Sequence, residues 1–476
     1  MKQITVILTV ASFLLLTLGI NIIAQDNKTL QQNNPEVTFN STQIIKTIPD
    51  NMVGINGWGA LIGVYGNNPT YIQNLKKINP KTIRFHDNIV QDATENWRAF
   101  GNKWTKSWAK WKVQEFATMI RSWRAQGINP EITFTINGFP DWIRQEPFLY
   151  NGKTSPVKLL HVTEWNRYGD YLAELVRLLN VEQKLGIKNF EITNELDSIY
   201  SVKLQDAGFP RKMNELAKIV NIASNKMKAI DPSIRTGGPS LTRPDRLAGI
   251  AEFIREYKNI GGKNLDFFSY HTYVSGGLSD TDDFIFERIS GNIRFFNRNI
   301  RALLDSNGFT ATQLHLNEFN IAWNYNPVDT RMHNNKGAIF DALAYIEAHK
   351  ENLQNITSWA DMDSVFGKMD NQFKLRPASG VINLFSTKVK GQLISTTSNV
   401  PQLTTMGYRN GNLNGLVLVN SSSSPKIISI KGFDSTTNIT KIDTLNTNTN
   451  FINQTIVSSN LKSMTIEPMS IILLEK

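Results

Sequence analysis

The chain predicts an α/β protein: a (β/α)8 TIM barrel followed by a C-terminal β-sandwich domain. Three observations point there. Between Met52 and Met362, eight short strand-like segments alternate with amphipathic stretches, the repeat of a parallel barrel. Beyond Leu384 the helical period stops, and short alternating strands split by Asn/Ser/Thr-rich turns replace it. Two of the barrel strands end in the same dipeptide, Asn194-Glu195 and Asn317-Glu318, at the strand end where such barrels place reactive groups. An open doubly wound sheet is the rival, but no Gly-rich phosphate fingerprint follows the first strand.

The 476 residues are 41% hydrophobic and 19% charged, enough for a barrel of ~250 residues or more and a second domain. Lys2, an apolar run from Ile4 to Ile20 and Ala24 read as a secretory signal cleaved after Ala24, with an uncleaved anchor as the alternative. No later segment has the apolar length to span a bilayer. The expected organisation is therefore a signal over 1–24, then a segment over 25–50 contributing a strand to the sandwich. The barrel follows over 51–388 and the sandwich over 389–476, in a protein secreted, periplasmic or held at the cell surface. There is no cysteine, so stability must come from the core. The formal charge of +10 attracts polyanions, yet no basic run or nucleic-acid motif accompanies it, and no nucleic-acid partner is expected.

In order, the barrel strands are expected at Met52–Trp58, Thr82–Asn88, Glu131–Asn137, Asn189–Glu195, Ile234–Gly238, Leu265–Tyr273, Gln313–Phe319 and Ile356–Met362. Amphipathic helices are expected at Val113–Gln126, Trp165–Leu185, Lys212–Ile230, Gly249–Tyr257, Glu287–Leu304 and Lys336–Lys350. Gly127 and Gly186 stand where helix C-caps fall. The sandwich strands are expected at Gln392–Thr396, Gly415–Val419, Lys426–Ile430, Thr440–Leu445, Phe451–Val457 and Met464–Leu474. This domain has few aromatics for stacking on sugar and reads as structural support.

A barrel interior is normally filled by Val, Ile and Leu. Here period two turns Arg84 and His86 inward on one strand, and polar groups around His271 and Tyr273 on another. Trp359, Asp361 and Asp363 close the last strand. With two strand-end glutamates, these residues suggest glycoside hydrolysis by a carboxylate pair. One carboxyl donates a proton to the leaving oxygen and needs a raised pKa, while the other stays ionised and attacks the anomeric carbon. Glu195 and Glu318 can meet only across the barrel mouth. Arg84 is expected as the charge partner of Glu318, Tyr273 as a donor to it, Asn194 as a contact to the sugar, and Glu191 as an internal ion-pair partner. Trp104, Trp108 and Trp111 share helical spacing and read as one packed stripe, whereas Trp97, Trp142, Trp323 and above all Trp359 are sugar-stacking candidates. No metal-binding motif occurs and no cofactor or metal is expected; no Gly-x-Ser-x-Gly elbow occurs either.

Arg84-Phe-His86, Phe190-Glu-Ile-Thr-Asn194-Glu195, His271-Thr-Tyr273 and Asn317-Glu318-Phe resemble the clan A retaining glycoside hydrolases. The chain is most similar to family 39, the β-xylosidase and α-iduronidase group. The resemblance covers Asn51 to Phe385. It implies Glu195 as acid/base, Glu318 as nucleophile and Arg84, His86, Asn194, His271 and Tyr273 as supports, acting on a carbohydrate with retention of configuration. The family usually has Trp before the Asn-Glu pair and Pro after it, where this chain has Thr193 and Leu196; it usually has Gly at the place of Asp87. Agarase- and porphyranase-type clan A enzymes, and a sugar-binding barrel without catalysis, stand as alternatives.

Overall fold

A computed structural model describes residues 34–62, 65–86, 106–136, 147–433, 437–442, 451–456 and 461–476. The expected signal segment, Trp97, Trp104 and Trp142 lie outside the described residues, as do the side chains of His86, Trp108 and Trp111. The first strand, β1 (Glu36–Thr47), belongs to the C-terminal sheet. The next are β2 (Val53–Asn56), β3 (Thr82–His86) and β4 (Glu131–Thr135), then a small hairpin of β5 (Leu149–Tyr150) and β6 (Lys153–Thr154). Then come β7 (Asn189–Glu191), β8 (Arg235–Leu241), β9 (Phe267–Ser275), β10 (Gln313–Ala322) and β11 (Asn355–Ser358). Strands β2, β3, β4, β7, β8, β9, β10 and β11 close a parallel barrel in chain order. This is the TIM-type fold that the sequence predicts.

Outward residues of the strands, such as Ile83, Phe85, Phe134 and Phe190, are fully buried under the helices. Phe85 meets Phe116 edge-on at 4.9 Å and Phe116 meets Phe134 at 5.7 Å, so aromatic packing fixes the helix Lys106–Ala125 against β3 and β4. Gly127 and Gly186 adopt φ of 80° and 62°, the left-handed conformation that ends a helix without a Cβ clash.

Nine strands form the second sheet, in the order β17-β16-β19-β14-β13-β12-β1-β15-β18. They include β12 (Gln392–Ser398), β13 (Leu403–Asn410), β14 (Leu413–Asn420), β15 (Lys426–Lys431) and β16 (Thr437–Ile442). The others are β17 (Phe451–Ile456), β18 (Met464–Ile466) and β19 (Ser470–Glu475). Strand β1 pairs antiparallel with β12 and parallel with β15. Alternation divides the sheet's apolar residues between two cores. Leu416, Leu418, Ile472 and Leu474 pack within the sheet domain, while Val417, Val419, Ile471 and Leu473 join the barrel core.

Three local expectations are corrected. The helix Asn335–Lys350, read as amphipathic, is buried on every side from Gly337 to His349. It lies between barrel strands β10 and β11 and the sheet strands β13, β14 and β19, and a helix apolar all round is one covered all round. Strand β13 was absent from the expected set. The single strand expected over Met464–Leu474 is two, β18 and β19, separated at Glu467-Pro468-Met469 where Met469 takes φ 46°.

Candidate active site

Arg84 is the centre of the site. Its inward position on β3 puts a guanidinium in the barrel axis with no exposure, and five N–H donors there need acceptors. Nε and Nη2 reach Glu191 at 2.8 and 2.7 Å. Nη1 donates to Asn56 Oδ1 at 2.9 Å and to Glu318 Oε1 at 2.7 Å. Nη2 also donates to Asn194 Oδ1 at 2.7 Å and Ser240 Oγ at 3.2 Å. One cation thereby ties together residues on or just after β2, β7, β8 and β10. Glu191, as expected of an internal ion-pair partner, is fully buried; it also accepts from Thr135 Oγ1 at 2.8 Å and from Asn317 Nδ2. Burial pushes the Glu191 carboxyl up, but Arg84 outweighs this and holds it below its ordinary value.

Glu318 lies within β10, where the pairing with β9 shifts register between Leu316 and Glu318. Its Oε2 accepts from Tyr273 Oη at 2.8 Å, so Arg84 and Tyr273 grip the two oxygens from opposite sides. Tyr273 is pushed far above its ordinary pKa, first by burial and then by the Glu318 charge, and remains a donor.

Glu195 is not on a strand. β7 ends at Glu191, and Glu195 sits in a following turn with φ 54°, uncommon for a residue with a side chain. Cross-bonds to the C-terminal end of β8 hold this turn: Thr193 Oγ1 donates to the Pro239 carbonyl at 3.0 Å, and the Glu195 N–H to the Ser240 carbonyl at 2.9 Å. The side chain is 38% exposed, and its Oε1 meets His271 Nδ1 at 2.9 Å. His271 Nε2 meets Ser240 Oγ at 2.6 Å. The raised pKa expected of the proton donor is absent here. Burial does push Glu195 up, but the hydrogen bond and charge of His271 outweigh it and the carboxyl falls below its ordinary value. His271 shifts the opposite way: burial lowers it, and the charges of Glu318 and Glu195 raise it further. Both shifts favour the carboxylate of Glu195 and the imidazolium of His271.

An open cavity of about 700 Å³ lies above these groups, lined by Asn194, Glu195, Tyr273, Glu318, Trp323 and Trp359 among others. Trp359, which precedes a cis peptide bond to Ala360, is 7% exposed and packs on Trp58 with ring centres 5.4 Å apart. Of the residues singled out in the sequence, Arg84, Asn194, Glu195, His271, Tyr273, Glu318, Trp323 and Trp359 meet at this cavity or directly beneath it. Asp361 and Asp363 do not. Asp361 is fully buried and accepts from the N–H groups of Gly59 and Ala60 and from Tyr71 Oη. Asp363 accepts the N–H groups of Val365, Phe366 and Gly367, so both serve backbone turns. Sequence reading missed Trp58, Ser240, Thr242, Arg243, Tyr325 and Phe366. Trp58 had a signal, its place as the last residue of the first expected strand; Ser240 lay beyond the expected end of its strand.

One oxygen each of Glu195 and Glu318 and a ring nitrogen of His271 lie within 4.8 Å of one another. Among the described residues they form the set able to approach a metal ion, although the Arg84 guanidinium already occupies Glu318.

The family model for glycosyl hydrolases family 39 matches residues 72–427. The chain belongs to this family. Its match to a β-xylosidase of Geobacillus stearothermophilus is 24% identical over 270 residues, 53% of this chain and 48% of that protein; the chain thus spans about half the length of that curated relative. In fold it is similar to an α-L-arabinofuranosidase from Thermotoga maritima, with TM-score 0.66 and 15% identity over 93% of this chain and 99% of the other. A monomeric β-xylosidase from Caulobacter crescentus gives TM-score 0.63 and 16% identity over 92% and 99%. In this family 39 chain, Thr193 before the Asn-Glu pair bonds the end of β8, and Leu196 after it is buried in the core.

Proposed function

We propose that the protein is a retaining glycoside hydrolase acting on poly- or oligosaccharides. Glu318 is its nucleophile, Glu195 its acid/base, and no cofactor is required. The observation that carries this reading is the placing of the two carboxylates at one cavity, with oxygens within 4.8 Å. Retention goes with carboxyls about 5–5.5 Å apart, whereas inversion needs roughly 6.5–9.5 Å to admit a water.

In the first step Glu318 attacks the anomeric carbon while Glu195 gives its proton to the departing oxygen, leaving a glycosyl ester on Glu318. That proton starts on His271. A sugar seated in the cavity covers the exposed part of Glu195, strengthens the burial that already pushes its pKa up, and draws the proton across the bond from His271 Nδ1. In the second step Glu195 takes a proton from water, which cleaves the ester. Arg84 and Ser240 hold Asn194 by its Oδ1, which leaves Nδ2 to donate to the sugar hydroxyl beside the reacting carbon. Trp359 forms an apolar wall for the ring. The apolar composition of residues 1–24 supports action outside the cytoplasm.

The relative named a β-xylosidase makes aryl β-xylosides and xylo-oligosaccharides the first substrates to assay, followed by sulfated and uronate-bearing glycans. Glu195→Gln is expected to lose about 10²–10⁴-fold in kcat on unactivated substrates, and Glu318→Gln more. Undiminished turnover in both variants would refute the assigned roles, and a wild-type chain that binds glycans without cleaving any would favour the sugar-binding alternative.

A further inference from the structure

We propose that Asp197 is a positioning residue for the proton donor: its carboxylate bolts the turn carrying Glu195 to the loop after β8 and so sets where the Glu195 carboxyl stands. The inference rests on the reading of Glu195 as acid/base.

Asp197 follows Glu195 by two residues, is 3% exposed and is not among the cavity-lining side chains. Its two oxygens divide between two backbone donors, Oδ1 accepting from the Thr242 N–H at 2.9 Å and Oδ2 from the Arg243 N–H at 3.0 Å. Thr242 and Arg243 both line the cavity beside Glu195. The bond from the Glu195 N–H to the Ser240 carbonyl closes the other end of the same junction. Ser198 Oγ and the Ser198 N–H then hold the Glu195 carbonyl at 2.5 and 3.1 Å. Glu195 and Ser240 both take positive φ, 54° and 56°, a conformation that persists in such residues when the surroundings enforce it. Asp197 is part of what enforces it.

A carboxylate suits this task because it has acceptors on both sides. An amide of the same shape satisfies one N–H and turns its own NH2 against the other. Burial raises the Asp197 carboxyl to about 6 against the pull of both N–H groups, so the fold retains an acid where a neutral side chain would be less costly to bury. With the junction loosened, Glu195 keeps its chemistry but loses its register with the departing oxygen.

The test exploits leaving-group dependence. A 2,4-dinitrophenyl glycoside departs without a proton, whereas a phenyl glycoside needs one, and both are made with the sugar the wild-type chain cleaves fastest, β-D-xylose tried first. Asp197→Asn is expected to cut kcat/KM on the phenyl glycoside about 100-fold, the scale of an ångström-sized misplacement, while formation of the glycosyl-enzyme from the dinitrophenyl glycoside is largely retained. Asp197→Glu, which keeps the charge and displaces its oxygens, is expected to show the same split to a smaller extent. Glu195→Ala serves as reference. If it shows no such split, the reading of Glu195 falls and this inference with it. If it does and the Asp197 variants lose both substrates equally, or neither, the positioning role is overturned while Glu195 keeps its place. Loss of glycosyl-enzyme formation from the dinitrophenyl glycoside in both Asp197 variants would mark Asp197 as a folding determinant only.

Discussion

Within β10 and just after β7 stand the same two residues, Asn then Glu, in opposite mechanical settings. On β10, Asn317 and Glu318 remain in the strand. Asn317 is buried beneath the cavity, donates to Glu191 and accepts from Asn56 through its carbonyl at 2.8 Å, while Glu318 is clamped by Arg84 and Tyr273. After β7 the strand has already ended, so Asn194 faces the cavity and Glu195 stands out on a left-handed turn. A nucleophile gains from being immobile and from having both oxygens oriented, because its trajectory decides the rate. In its proposed role as a proton donor that must later accept from water, Glu195 needs contact with solvent and with a proton reservoir, for which His271 is placed. One dipeptide thus stands in two settings, suited to the two proposed roles, according to whether its strand has ended.

The clamped side breaks most violently. Arg84→Met removes the shared counter-charge of Glu191 and Glu318 and leaves Glu191, which is fully buried, without a cation. Stranding one member of a buried ion pair costs about 3–5 kcal/mol, and that loss is expected in urea unfolding. A change below about 1 kcal/mol would mean that the strands, and not the guanidinium, hold the barrel mouth together.

The exposed side is expected to break in its pH dependence. Raised above its ordinary 6.5, His271 adds stability that is complete below that value and is lost as pH rises through its folded pKa. Glu195, lowered from 4.5, adds stability present above that value and lost as pH falls through its folded pKa. The pair therefore stabilises most between about 4.5 and 6.5. His271→Asn is expected to lower stability within that window and to flatten its fall on either side. It also removes the proton reservoir, so the alkaline limb of kcat/KM on a phenyl glycoside should move to lower pH. An unmoved limb would show that His271 does not share the proton.

Residue parity made much of this legible in the sequence. Period two along β3 and β9 was enough to turn Arg84 and Tyr273 inward, and both bond Glu318 as that parity implies. What it could not give was where strands stop. Nothing in Thr193-Asn194-Glu195 announces a positive φ at the glutamate, because the turn is imposed by cross-bonds to residues 239–243. The same blind spot enrolled Asp361 and Asp363 in the site. Their type and spacing suit chemistry, but nearby backbone N–H groups use their oxygens, a demand invisible until the chain has folded. Burial of the helix Asn335–Lys350 on all sides was likewise hidden, since the sheet that covers it is built from residues far along the chain.

Two tryptophans extend the contrast between fixed and free sides to the smallest expected effect. Trp359 is 7% exposed and braced by Trp58, whereas Trp323 is 63% exposed at the cavity rim. Truncating Trp359 must disturb the core as well as the sugar wall. Trp323→Ala removes little packing, and its stability change should stay within about 0.5 kcal/mol. If its ring stacks on a sugar distant from the reacting bond, the lost contact is worth about 0.5–1.5 kcal/mol. KM should then rise about 2- to 10-fold for an oligosaccharide and stay unchanged for a monosaccharide aryl glycoside, with kcat preserved in both. An equal rise in KM for both substrates would place Trp323 beside the reacting sugar, and the free rim would have to be counted as part of the fixed site.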